Sequence, residues 1–93
     1  MMTAVTELRA WPVDPRDTSW EVWHPRYRVY FWRSLGQMWA SREFELSAAD
    51  VVEVLAWAAD HAVDGETYTV HCVVESASGT GLVRLAGTDP TRT

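Results

Sequence analysis

Ninety-three residues suffice for one domain around one core and leave little apolar surface to spare. A composition 47% hydrophobic and 23% charged excludes an intrinsically disordered chain, and thirteen acids against eight arginines, for a formal charge of −5, argue against generic binding to nucleic acid or to an anionic membrane. Lysine is absent, which excludes Schiff-base chemistry and a phosphate loop of the Walker type.

The single Cys72 has no internal partner, the pattern of a reducing compartment. Residues 1–11 carry neither a basic n-region nor a continuous apolar stretch, and no run reaches the length of a bilayer span, so a cytoplasmic location without membrane contact is expected. The charge is unevenly placed. Up to residue 46 six arginines balance six acids, whereas from residue 47 two arginines face seven acids.

Residues 1–19 are expected to form an arm, with a short strand at 5–9 and an irregular course imposed by Pro12 and Pro15. Residues 20–24 predict a strand stopped by Pro25, and 26–33, rich in aromatic and β-branched side chains, predict a stronger one. A turn around Gly36 then returns the chain through 37–46 as a hairpin. Ser47 is a favoured N-cap, Asp50 three residues later approximates a capping box, and the helix that follows is expected to reach Asp64 and stop at Gly65. On a helical wheel Ala48, Val51, Val52, Leu55, Ala58, Ala59 and Ala62 share one face, and Glu53, Trp57, Asp60, His61 and Asp64 share the other.

Residues 66–75 alternate Tyr68, Val70, Cys72 and Val74 against Thr67, Thr69, His71, Val73 and Glu75, as a half-buried strand does. After a turn at 76–81, residues 82–87 predict the last strand, and 88–93 are expected to fray. The fold class is α+β: a single domain with an antiparallel sheet of four to six strands and one helix on one face, in ββαββ order, preceded by one or two N-terminal strands.

Seven of the eleven aromatic residues fall between Trp20 and Trp39, with Arg26, Arg28 and Arg33 among them. If Leu35 and Gly36 form the turn, Ser34 pairs with Gln37. One face then sets Tyr27 opposite Phe44, Val29 opposite Arg42 and Phe31 opposite Ala40. The other sets Trp32 opposite Trp39, Tyr30 opposite Ser41, Arg28 opposite Glu43 and Arg26 opposite Glu45. A three-residue turn with Gly36 in a bulge would shift these pairs. The helix covers the first face, which leaves Arg28, Tyr30, Trp32, Trp39 and Val73 as a candidate interface on the second.

The helix offers another candidate surface in Glu53, Trp57, Asp60, His61 and Asp64: an aromatic anchor among acids, suited to a basic protein partner. The competing expectation is that the arm around Trp11 to Arg16 folds over it. No catalytic or metal residues are assigned. Neighbouring His71 and Cys72 point to opposite sides of a strand, His61 and Asp64 lack a third ligand, and Glu43 and Glu45 lack an apolar pocket that would raise a carboxylate pKa. The expected function is a non-enzymatic protein-interaction or accessory domain without cofactor, forming a homodimer through the aromatic sheet face. The alternatives are a single-stranded nucleic-acid module built on the hairpin, which the acidic charge disfavours, and a small enzyme.

Overall fold

The structure, a computed structural model, describes residues 7–48 and 50–92. Four antiparallel strands, β1 (Arg26–Leu35), β2 (Met38–Ser47), β3 (Glu66–Ser76) and β4 (Gly79–Ala86), form one sheet in the order β2-β1-β3-β4, and a single helix α1 (Val51–His61) connects its two hairpins. This is the ββαββ α+β architecture that the sequence predicts. Of the strands expected ahead of it, 5–9 lies partly outside the described residues. Residues 20–24 join no ladder, and residues 7–24 carry only a 3-10 turn at Pro15–Asp17. Pro12 and Pro15 remove donors from the arm, and Pro25 stops the 20–24 segment directly before β1.

Alternation in β1 divides the sheet into two faces. Tyr27, Val29 and Phe31 point to one side, opposite Cys72, Val70 and Tyr68 of β3, and there they meet Val54 and Ala58 of α1 in the core. The hairpin turn falls at Gly36 and Gln37 instead of Leu35 and Gly36: Leu35 pairs with Met38, and Gly36 takes φ 72° at the first central position, as a type II′ turn requires. The register therefore differs by two residues from the expected one. A slip of two keeps every side chain on its expected face and changes only its partner, so Phe31 faces Arg42, Tyr30 faces Glu43, Arg28 faces Glu45, and Trp32 faces Ser41 in place of Trp39.

The helix begins later and is turned further than the wheel suggested. Ser47 remains in the β1–β2 ladder opposite Arg26, and Asp50 is the N-cap, its carboxylate accepting from the Glu53 amide at 3.1 Å. The last turn closes at Ala62, whose amide donates to the Ala58 carbonyl, while Gly65, at φ 86°, turns the chain into β3. Val54, which the wheel left on neither face, is fully buried beside Ala58, whereas Val52 is exposed. Rotation toward Val54 brings Trp57 off the polar face and against the core. Val54→Ala should accordingly lower stability by roughly 2–3 kcal/mol, and Val52→Ala by less than about 0.5 kcal/mol, in urea unfolding; equal effects would mean the opposite helix face packs inward.

The outer face is closed in part by the chain's own end. At residue 85 a bulge lets Ala86 pair with Val70 and Arg84 with His71. Gly87 then turns the backbone at φ 86° so close to the sheet that a Cβ would lie 2.2 Å from the Tyr68 carbonyl. Residues 88–92, expected to fray, instead make a turn in which Asp89 accepts from the Thr91 amide and hydroxyl at 2.8 and 2.6 Å, with Asp89 and Pro90 partly buried. Pro90 and the polar residues around it suit a tight turn as well as a loose end. Gly87→Ala should destabilise the fold by roughly 2 kcal/mol or more, since it adds left-handed strain to a collision with backbone; an unchanged urea midpoint would contradict this placement of the turn.

Candidate functional site

On the outer face the residues proposed from sequence do not form one open patch. Trp32 is only 8% exposed and its indole Nε1 donates to the buried Thr69 hydroxyl at 3.0 Å. Tyr30 bridges the neighbouring rings, 5.7 Å from Trp32 and 5.2 Å from His71. Trp39 sits two residues nearer the turn than expected, opposite Ser34, and is exposed with Leu35 and Met38 at the hairpin tip. Val73 is partly buried opposite Leu82 of β4. Thus Tyr30 and Trp32 are brought together, Trp39 stands apart, and Trp32 already has its neighbours within the chain.

Arg28 and Arg26 are also engaged. Arg28 Nε donates to Glu45 at 3.0 Å, and Arg26 reaches both Glu45 at 3.3 Å and Glu75, which in turn accepts from Thr80. These groups form a polar ladder across all four strands. Arg28 beside Glu45 holds that carboxyl below its usual range. Since every member is exposed or half-exposed, the ladder contributes specificity of pairing more than stability.

On the inner side, Arg42 lies over the Phe31 ring at 4.8 Å and donates to Glu66 at 2.8 and 2.9 Å and to the His61 carbonyl at 3.2 Å. Arg33 donates to the Asp64 carbonyl beside it. Two arginines thus satisfy carbonyls at and just beyond the C-terminus of α1, where the helix dipole favours cations. The Glu66 side chain is 3% exposed and also accepts from the Val63 amide, so Arg42 chiefly, with that amide, holds its carboxyl down at about 2. With a folded pKa below the unfolded one, this group stabilises the fold above about pH 4.5, and the contribution is lost as pH falls toward 2. Glu66→Gln should flatten that part of the acid limb of unfolding; an unaltered slope between those two pH values would contradict the buried pair.

Of the helix surface, Glu53, Asp60, His61 and Asp64 are exposed as expected, but Trp57 is not a lone anchor among them. Its ring packs against Phe31 at 5.7 Å and Phe44 at 5.4 Å and stacks on His61 at 4.3 Å, whose Nδ1 lies 2.8 Å from the Trp57 carbonyl. The arm does not fold over this surface: Arg16 pairs with Asp14 within the arm, and Trp11 is 72% exposed. Cys72 is partly buried on the core side and His71 lies on the other, so they form no dyad. Among the described residues no three His, Cys, Asp or Glu side chains converge to hold a metal, and no helix is long and apolar enough to cross a membrane.

Two surfaces were not anticipated from sequence. The arm exposes Leu8, Trp11, Val13, Trp20, Val22 and Trp23, with Trp20 and Trp23 at 71% and 78%. Trp20 and Val22 flank a shallow cavity of about 360 Å³ against Val73 and Val74. The other surface is a cavity of about 620 Å³ on the outer face, between Tyr30, His71 and the C-terminal turn. The uneven charge of the second half was a signal for it, because both arginines that follow Arg42 line this cavity. Comparison of the chain with protein-family models, with curated proteins and with solved structures finds no match.

Proposed function

We propose that the chain is a non-enzymatic protein-interaction or accessory domain of a reducing, cytoplasmic compartment, and that its partner is a second copy of itself. The observation that carries this is the arm, in which three tryptophans are each more than two-thirds exposed.

Self-association is favoured by a second unmet need on the same chain. The outer edge of β2 carries Arg42, Glu43 and Glu45, charges that discourage strand addition, whereas β4 has a single charged residue, Arg84, and exposes Leu82, Val83 and Leu85. Residues 20–24 have strand-forming composition without a ladder, and β4 has a ladder edge without a neighbour. Reciprocal addition of each arm to the other copy's β4 satisfies both in a closed two-fold dimer. The contact moves from the sheet face to the arm and edge, because Trp32 is covered within its own chain. The nucleic-acid alternative loses support, since Arg26, Arg28 and Arg42 are all held by carboxylates.

Sedimentation equilibrium of the full chain should show a dimer at micromolar concentration, and Trp20→Ala with Trp23→Ala should weaken it by roughly 2 kcal/mol or more while leaving the protomer folded by circular dichroism. A monomer throughout that range would contradict self-association. A dimer indifferent to both substitutions would contradict the arm.

A further inference from the structure

We propose that the outer-face cavity beneath the C-terminal turn is a binding site for a small organic anion, with a carboxylate or phosphate head and an apolar body. At about 620 Å³ its volume falls within the range of small-molecule sites. Its walls divide by chemistry. Tyr30 of β1 and Leu82 of β4 supply ring and aliphatic surface, and Arg84 and Arg92 supply cations.

The charge distribution selects an anion. From residue 47 onward the chain has seven acids and two arginines, and both arginines line this cavity. Arg26, Arg28 and Arg42 are tied to carboxylates at 2.8–3.3 Å, Arg28 and Arg26 to Glu45 and Arg42 to Glu66. Here the pairing is loose. Arg84 donates through Nη1 to the Gly87 carbonyl, which leaves its remaining donors for a ligand, and Arg92 approaches Asp89 only to 3.9 Å. Asp89, the one acid lining the cavity, is occupied by the Thr91 amide and hydroxyl. The balance is one net positive charge within an acidic half-chain, and arginine's planar fork matches the oxygens of a carboxylate or phosphate.

His71 adds an aromatic, polar ring to the wall. His71 is 8% exposed, and among the described residues its buried Nδ1 has no hydrogen-bond partner. Burial chiefly, with Arg84 nearby, pushes the His71 pKa down, opposed by the Arg28 carbonyl and Asp89. Thr88 also lines the cavity. Binding in this cavity does not depend on self-association through the arm.

The test is a titration of the full chain, followed by ¹H–¹⁵N spectra, with benzoate, phenyl phosphate and inorganic phosphate in separate arms. Benzoate or phenyl phosphate should shift His71, Arg84 and Thr88 saturably, and the tighter of the two identifies the head group. Arg84→Gln should weaken binding at least tenfold. Arg92→Gln, which spares the Arg84 contact with Gly87, should also weaken it and so separates loss of the ligand from loss of the turn. Arg16→Gln in the arm, paired there with Asp14, should leave it unchanged. Inorganic phosphate binding as tightly as phenyl phosphate would overturn the apolar part of the site. No saturable shift with any of the three, or affinity unmoved by Arg84→Gln and Arg92→Gln, would overturn the site itself.

Discussion

A four-stranded sheet has two faces, and a helix of eleven residues covers one of them. On the covered side Val54 and Ala58 meet Val29, Phe31 and Val70, all fully buried, in the ordinary close packing of a small core. On the other side the same β1 strand presents Arg28, Tyr30 and Trp32, and the chain must satisfy them without a second layer. It does so piecewise: an arginine-carboxylate ladder at one end, an indole-hydroxyl bond from Trp32 to Thr69 in the middle, and the Gly87 turn beside Thr69. Gly87 is the residue on which that last piece depends, since any side chain there meets the Tyr68 carbonyl.

The density of arginine and tryptophan in the first hairpin, which suggests a binding strip, turns out to be mostly architecture. Arg42 and Arg33 answer carbonyls at the end of α1, and Arg26 and Arg28 tie β1 to its neighbours. Trp57 and Arg42 both pack on Phe31 and Phe44, so the end of the helix and the edge strand are fastened through one aromatic pair. What is left unaccounted for inside the chain is concentrated in two places. The arm holds large apolar side chains without a core, and the outer-face cavity holds cations without a full complement of acceptors. A surface for a partner and a site for a small anion are different answers to those different deficits.

Legibility followed the range of the interactions involved. Face assignments in β1 and β3 depend only on alternation and survived a two-residue shift of register. The shift itself was hidden because both turns bring arginine opposite glutamate: Arg28 meets Glu43 in one and Glu45 in the other. Ser47 and Asp50 are both good caps, and only the pairing of Ser47 with Arg26 decides between them. Trp57 was placed among acids because the wheel omitted Val54, and the wheel cannot register that Phe31 and Phe44 lie below. The C-terminal turn was least visible of all. Its requirement for glycine is set by a carbonyl in β3, and its cavity brings together residues from β1, β3, β4 and the chain end.

The chain covers the middle of its own outer face through the Trp32–Thr69 bond and the Gly87 turn. Hydrogen exchange at the six tryptophan indoles tests this most directly, followed by NMR across a wide range of protein concentration. The Trp32 indole proton, bonded to a buried hydroxyl, should exchange far more slowly than those of Trp11, Trp20 and Trp23, and its protection should not change on dilution to the monomer. Rapid exchange at Trp32, or protection that appears only as concentration rises, would show that a second molecule and not the chain itself covers that face.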